Sequence, residues 1–365
     1  MKKAYFICFV VLCFVILNSC NHQNQKEEKK VLQFEAMNTF VTLQGWTENE
    51  NALEQAKLII ENLDKKISVT NKDSQIFLMN EYSLLADREK NQNEVVCEIF
   101  DDEVTSLLGR ALEFAKITRG AFNPCLYPIT KAWGFTKEQY TVPSENEIAL
   151  LLKKTDYEKM AVGKNGKVEF ESGMLLDFGG IAKGYSGDVA ILKLKECGVE
   201  AGLLDLGGNI QAFGQKKDGT KWKIGIKNPI AEGILGGLEI EEGAVITSGG
   251  YERFFTADDG KKYIHIMDNK TGYPVDNGLV SVTIISKKGE VADALSTALF
   301  VMGKENAIEF WRDKRGRECD DFDFILIEQT GERDLEIFVS AGVAKDFFVL
   351  DCGANVRVEE VERKD

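Results

Sequence analysis

The chain has 365 residues, 28% of them charged, and a formal net charge of −14 at pH 7. A strongly acidic protein repels polyanions, so the composition indicates that nucleic acid is not a partner. The cysteines after Cys20 are odd in number and lie far apart, which excludes a disulfide framework and a zinc pattern but leaves one disulfide open.

The N-terminal segment predicts export. A basic start precedes an apolar stretch, about residues 4–17, that is shorter than the ~18 to 20 residues of a membrane-spanning helix. Leu17-Asn18-Ser19-Cys20 resembles a bacterial lipobox, in which the cysteine is acylated; an ordinary signal peptide with an incidental cysteine is the alternative. We expect residues 1–19 to be removed, Cys20 to be lipidated, and residues 20–30 to form a flexible tether. The protein would then lie on the exported face of a membrane of the bacterial cell envelope.

Strands and helices alternate in the first half of the chain. Two strand patterns, Val31–Glu35 and Thr39–Gly45, precede a helix at about Asn51–Ile67, where apolar residues recur every three and four positions. A second helix is predicted at about Val104–Thr118. A third begins at Ser144, which has capping-box spacing with Glu147.

Short strands dominate the second half, with hairpin signals between them. The predicted strands are Lys159–Val162, Lys167–Glu171, Met174–Phe178, Ala201–Leu206, Asn209–Phe213, Trp222–Lys227, Gly237–Glu241, Ala244–Ser248, Tyr263–Met267, Ser281–Ser286, Phe322–Glu328 and Glu336–Val339. The predicted helices are Gly184–Cys197 and Ala292–Met302, the latter ended by Gly303. This mixture favours one compact α+β domain over residues 31–350, with mixed and antiparallel sheets, followed by a polar tail at 351–365.

Two glycine-containing segments follow apolar strand patterns. In Leu175–Ser186 the glycine turn leads into a helix, an arrangement that directs backbone N–H groups and the helix dipole at an anion. Lys183 adds a positive charge, but it precedes its glycine, so the segment is not a Walker loop. A tight turn without a ligand is the alternative. Leu204–Asn209 ends in paired glycines, where a backbone can approach a ligand closely or form a bulge.

Two further segments place polar side chains among apolar ones. His265 is expected in a strand before a turn at Asp268–Pro274, in either a structural or a catalytic role. Asp293 and Thr297 are four residues apart and share one face of an apolar helix. A carboxylate there either binds a hard cation or caps the helix N-terminus, and the sequence leaves both open.

Taken together, eight segments in order resemble the FAD:protein FMN transferase (ApbE-like) family between about Phe34 and Gly303. They are Ala36–Val41, Asp73–Asn80, Thr118–Pro124 with Trp133–Phe135, Asp177–Tyr185, Asp205–Asn209, Ser248–Arg253, His265–Pro274 and Ala292–Thr297. Three positions depart from the family pattern. Asn123 and Asn269 stand where the family usually has aspartate and proline, and an aromatic residue is missing around Ser68-Val69-Thr70.

The resemblance implies site residues. The Mg²⁺ ligands would be the carbonyl of Ala182 and the side chains of Asp293 and Thr297. Catalytic roles fall to His265, Asp293 and Lys183. The flavin contacts carried over are Met37, Ala121, Phe122, Asn123, Lys183, His265 and Ile266.

The implied reaction transfers the FMN half of FAD, as substrate, to a serine or threonine hydroxyl of an acceptor protein and releases AMP. Mg²⁺ would bridge the diphosphate, and either His265 or Asp293 could take the hydroxyl proton. The resemblance also implies acceptors in membrane electron-transfer complexes, near a lipid anchor. The alternatives are an FAD pyrophosphatase that yields FMN and AMP, and a non-catalytic flavin-binding lipoprotein.

Overall fold

The structure of the protein, a computed structural model, describes residues 28–89, 94–98, 101–137, 139–163, 166–258, 260–314, 316 and 319–363. The predicted signal segment, Cys20 and most of the predicted tether lie outside these ranges. Within them, no helix is both long enough and apolar enough to cross a membrane. The five cysteines in the described ranges are all free thiols, so the disulfide left open by the sequence is not formed among them.

The described ranges contain eight α-helices. They are α1 (Ala52–Ile67), α2 (Gln75–Glu89), α3 (Asp102–Ile117), α4 (Tyr127–Ala132), α5 (Glu145–Leu152), α6 (Ala182–Glu196), α7 (Gly289–Met302) and α8 (Lys304–Lys314). The buried residues of α1 form the predicted stripe. Asp101 accepts two N–H groups at the start of α3, and Ser144 accepts the N–H of Glu147 at the start of α5.

The strands form one large sheet and three small ones. They are β1 (Glu28–Ala36), β2 (Thr39–Thr47), β3 (Glu94–Glu98), β4 (Ala161–Val162), β5 (Lys167–Glu171), β6 (Gly202–Leu206), β7 (Asn209–Phe213), β8 (Trp222–Lys227), β9 (Ile234–Ile240), β10 (Gly243–Gly249), β11 (Phe254–Thr256), β12 (Lys262–Ile264), β13 (Leu279–Ser286), β14 (Phe322–Gln329), β15 (Asp334–Ser340), β16 (Phe347–Val349) and β17 (Asn355–Val361).

The large sheet has nine strands in the order β1-β2-β6-β7-β10-β13-β14-β15-β17. All neighbours are antiparallel except β15 and β17. The small sheets are β16-β9-β8, β3-β5-β4 and β11-β12. Helix α7 is almost entirely buried between strands β10 and β13 and helix α6, which explains its continuous apolar sequence. The predicted α+β class is confirmed.

Four boundaries correct the sequence-based predictions. Met174–Phe178 is not a strand, because the side-chain amide of Asn80 takes both backbone groups of Leu176, at 2.8 and 2.9 Å. Residues 28–30 belong to β1 rather than to the tether. The predicted polar tail contains β17, so the domain reaches at least Val361. Helix α6 begins at Ala182, before the predicted Gly184.

Candidate active site

The helices that carry the predicted metal ligands touch at two glycines. A β-carbon on Gly184 would lie 2.1 Å from the carbonyl oxygen of Gly289 and 2.7 Å from the β-carbon of Asp293. No side chain fits there, so glycine is what allows the first turn of α6 to reach α7. The Gly184 N–H donates to Oδ2 of Asp293 at 2.9 Å. The start of α6, with Ala182, is thereby held against the acidic face of α7.

Thr297 lies one helical turn further along the same face. A β-carbon on Gly180 would come within 3.3 Å of Thr297 Oγ1 and 3.1 Å of the Phe122 ring. The hydroxyl of Thr297 also lies 3.4 Å from that of Ser248. The glycine turn before α6, the predicted flavin contact Phe122 and the predicted metal ligand Thr297 therefore meet at one place.

The oxygen atoms at this place fit a hard cation. Asp293 is only 4% exposed, and no lysine or arginine of the described ranges forms a salt bridge with it. A buried carboxylate without a counter-charge is costly. A carboxylate, a hydroxyl and the Ala182 carbonyl are the ligand types that Mg²⁺ takes. Within the described ranges, no three His, Cys, Asp or Glu side chains are grouped as they would be to hold a metal ion.

The alternative role of Asp293, as a helix cap, is excluded by its position. Asp293 is the fifth residue of α7, beyond the N-terminus. The cap comes instead from Asp188 on α6, whose carboxylate oxygens accept the N–H groups of Gly289 at 2.7 Å and Glu290 at 2.9 Å. Burial raises the pKa of Asp188 to about 6, against the lowering effect of these bonds. The sequence did not single out Asp188, because a cap supplied by another helix leaves no local signal.

His265 lies in a positively charged surrounding. The ring is half-buried just beyond the end of β12, so it is not within a strand as predicted. Its Nδ1 lies 3.1 Å from the Arg253 carbonyl oxygen, which requires a proton on Nδ1 and leaves Nε2 as an acceptor. Burial, and then the charges of Arg253 and Lys183, lower the pKa of His265 to about 3. The imidazole is therefore neutral at physiological pH.

The charges of Lys183 and Arg253 also affect the pKa of Asp177. Burial raises the pKa of Asp177, and the N–H of Gly179 and the charges of Arg253 and Lys183 oppose this rise. Both cations therefore lie near the glycine turn as well as near His265. Arg253 is a candidate site residue to which sequence reasoning gave no role. Its position at the end of a matched segment was the only available signal.

Met37 approaches the site from the turn between β1 and β2. Met37 and Asn38 have φ of 52° and 56°, a left-handed conformation that is unfavourable for residues with a side chain. The Met37 N–H donates to Asp64 at 2.9 Å, and the Met37 sulfur lies 3.3 Å from the hydroxyl oxygen of Ser186 on α6. These contacts hold the strained turn beside the first turns of α6.

Two of the three departures from the family pattern, Asn123 and Asn269, contact each other. The Asn123 side-chain amide donates to Oδ1 of Asn269 at 2.8 Å and to the Thr155 carbonyl at 2.8 Å. Its own oxygen accepts the N–H of Cys125 at 2.9 Å. The loop with Ala121, Phe122 and Asn123 is thereby fastened to the loop that follows His265 and Ile266. The structure thus brings the predicted site residues of five segments together.

The chain is similar to known flavin transferases. A family model described as the ApbE family matches residues 37–319. The chain is 32% identical over 317 residues to an FAD:protein FMN transferase of Treponema pallidum (strain Nichols), with 82% of each chain covered. It is 35% identical over 257 residues to an FAD:protein FMN transferase of Klebsiella pneumoniae (strain 342), covering 69% of this chain and 76% of the relative.

Solved structures show the same architecture. The crystal structure of an ApbE protein from Thermotoga maritima superposes with a TM-score of 0.75 at 32% identity, covering 83% of this chain and 96% of that one. The flavin transferase ApbE from Vibrio cholerae superposes with a TM-score of 0.73 at 25% identity, covering 86% and 97%.

Proposed function

The chain belongs to the ApbE family, and from this membership and the site geometry we propose that it transfers the FMN moiety of FAD to a serine or threonine hydroxyl of an acceptor protein. The protein is a flavin transferase. AMP is the second product. The observation that carries the proposal is the contact of the buried Asp293 with the first turn of α6, beside Thr297 and Phe122.

The diphosphate of FAD would be held by positive charge and backbone donors. The charges of Lys183 and Arg253 act on both His265 and Asp177, so both cations lie close to the glycine turn. A dianionic diphosphate needs such donors because the chain as a whole is acidic. The flavin half would contact Met37, Ala121, Phe122, Asn123 and Ile266.

Mg²⁺ would be held by Asp293, Thr297 and the Ala182 carbonyl, and when bound it neutralises and orients the diphosphate. The protein contributes the geometry of these ligands. The contact between Gly184 and Asp293 fixes the carboxylate, and the Ser186 hydroxyl, which donates to the Ala182 carbonyl at 2.7 Å, orients that oxygen.

The transfer step exchanges one phosphorus–oxygen bond for another. The acceptor hydroxyl oxygen bonds to the phosphorus of the FMN half, the bond from that phosphorus to the bridging oxygen breaks, and AMP leaves with the electron pair. Nε2 of the neutral His265 takes the hydroxyl proton, since Nδ1 is engaged with the Arg253 carbonyl. Asp293 is already bonded to Gly184 and is the poorer candidate for the base.

The setting of the reaction is proposed from the N-terminal segment. A lipidated Cys20 would anchor the exported domain to a membrane of the cell envelope, near acceptor proteins of electron-transfer complexes. Cys20→Ala should release the protein from the membrane fraction without changing the activity of the folded domain. Continued membrane association of that variant would contradict the anchor.

The test uses an acceptor protein that the Klebsiella pneumoniae relative flavinylates in a parallel reaction. The chain is incubated with FAD, Mg²⁺ and this acceptor, and the acceptor is weighed by mass spectrometry while AMP is quantified. A mass gain of one FMN moiety per AMP supports the proposal. AMP and free FMN without acceptor labelling would identify a pyrophosphatase, and flavin binding without AMP would identify a storage protein.

A further inference from the structure

Residues 262–267 and 274–280 form the two arms of a hairpin, and the arms diverge with distance from the turn that joins them. Near the turn the arms are paired, since the Val275 N–H donates to the Ile266 carbonyl at 2.9 Å and Met267 forms a bridge with Pro274. Further from the turn the arms separate. A groove of about 610 Å³ lies between them, with β12 on one side and residues 277–280 on the other.

The edge of β12 that looks into this groove is unpaired. In the antiparallel ladder with β11, residue 255 is hydrogen-bonded to residue 263, and residue 257 to residue 261. Hydrogen-bonded and non-hydrogen-bonded pairs alternate along such a ladder. The N–H and C=O groups of Lys262 and Ile264 therefore point away from β11. No other group of the described ranges bonds to them. Four consecutive residues, 261–264, line the groove, which indicates that the strand edge faces it.

The opposite wall does not complete this edge. The carbonyl of Gly278 accepts the N–H of Gln329 at 3.2 Å, and the carbonyl of Val280 accepts the N–H of Gly250 at 3.2 Å. These backbone groups are satisfied within the large sheet and its loops. The groove therefore has unpaired backbone hydrogen-bonding groups on one side, an edge to which an extended polypeptide can add.

We propose that this groove binds the acceptor protein, as an extended segment added to the free edge of β12. The inference rests on the proposed function. His265 directly follows Ile264, one residue rise of roughly 3.3 Å further along the chain, so a strand added to the edge of β12 ends beside the proposed base. No predicted flavin contact or metal ligand lines the groove, which keeps it open to a second substrate.

The side chains around the groove suit a peptide with an acidic residue. Tyr251 and Tyr273, both half-buried, supply amphipathic walls, which contact peptide side chains at little entropic cost. Lys262 lies over the Phe254 ring at 3.8 Å and forms no salt bridge with a described carboxylate. Asp276 is the acidic residue on the opposite side. An acidic acceptor residue would pair with Lys262 at the far end from His265.

Proline substitutions test the strand edge. Lys262→Pro removes the N–H that faces the groove and leaves the β11–β12 ladder bonds intact, since Lys262 donates none of them. Thr256→Pro makes the same change on the outer edge of β11, away from the groove, and is the matched control. Lys262→Ala removes the side chain but keeps the N–H.

The assay is acceptor flavinylation with the acceptor used above, with KM measured separately for acceptor and FAD. Lys262→Pro should raise the acceptor KM about five- to tenfold, because one hydrogen bond to the acceptor is lost. The FAD KM should remain unchanged. Thr256→Pro should leave both unchanged, and Lys262→Ala should raise the acceptor KM less than Lys262→Pro does. Amide exchange at Lys262 and Ile264 should slow when acceptor is added to the unmodified protein.

Three results would overturn the inference. The first is an acceptor KM that Lys262→Pro does not alter, the second an equal rise in the acceptor KM with Thr256→Pro, and the third a rise in the FAD KM. Each would show that no acceptor strand pairs with the edge of β12. If Lys262→Pro fails to fold, unchanged amide exchange at Lys262 and Ile264 in the presence of acceptor is the refuting result. Failure of the unmodified protein to label the acceptor at all would instead defeat the proposed function.

Discussion

Replacing Asp293 by asparagine should separate the stability of the protein from its activity. The carboxylate is 4% exposed and receives one hydrogen bond, from the Gly184 N–H at 2.9 Å. An amide oxygen accepts the same bond without a charge. In the absence of a divalent cation, the variant should therefore be at least as stable as the unmodified protein.

The magnitude follows from two opposed contributions. Removing a carboxylate from water costs several kcal/mol, and a charged hydrogen bond returns about 1.5–3 kcal/mol. We expect the metal-free unfolding free energy of Asp293→Asn to be unchanged or higher by up to about 2 kcal/mol. With Mg²⁺ at a hundredfold excess over its Kd, the unmodified protein should gain about 2.7 kcal/mol and the variant none. Turnover should fall at least about a hundredfold.

Urea unfolding with and without Mg²⁺, together with FAD turnover, measures these quantities. Asp218→Asn is the matched control, because Asp218 is an exposed carboxylate that accepts the N–H of Thr220 at 2.9 Å. It should behave as the unmodified protein does in both assays. Stabilisation of Asp293→Asn by Mg²⁺, or a loss of more than about 2 kcal/mol without metal, would refute the reasoning.

Further predictions concern His265 and the contact between the helices. His265→Gln should lower the transfer rate by about 10²- to 10⁴-fold while FAD still binds, and an unchanged rate would return His265 to a structural role. The pKa of His265 is lowered in the folded protein, so the unfolded state binds more protons. The free energy of unfolding should therefore fall as the pH drops below about 6.5, and it should fall less in His265→Gln. Equal pH profiles of the two proteins in urea unfolding would contradict this. Gly184→Ala should cost about 1–3 kcal/mol and most activity through its clash with Gly289, whereas Gly109→Ala, in open space on α3, should be neutral or stabilising by up to about 1 kcal/mol. Equal effects of the two glycine variants on thermal unfolding would show that the helix contact is not tight.

Local sequence signals predicted the elements whose patterns are local. The stripe of α1 and the capping box before α5 are read from neighbouring residues and were confirmed. Helix α2 was missed, since Leu78 and Leu85 face solvent and blur its apolar stripe. Strand β17 was taken for a polar tail because its stability depends on parallel pairing with β15, a contact between distant segments.

The candidate site was predictable in its parts and less so in its assembly. The four-residue spacing of Asp293 and Thr297 placed both on one face of α7. The contact with Gly184 could not be deduced from that spacing, because it depends on how closely two helices pack. The cap supplied by Asp188 and the charge of Arg253 near His265 also join residues that are far apart in the chain.

The length of β1 sets the distance between the start of the described domain and the candidate site. The described chain enters the domain at Glu28, and nine residues of strand carry it to the turn at Met37, a distance of roughly 30 Å. Any attachment upstream of Glu28 would hold the domain at the end of β1 opposite Met37. The separation of roughly 30 Å is about the thickness of a bilayer's hydrocarbon core, so a domain attached in this way could extend the candidate site toward targets that project from a membrane surface.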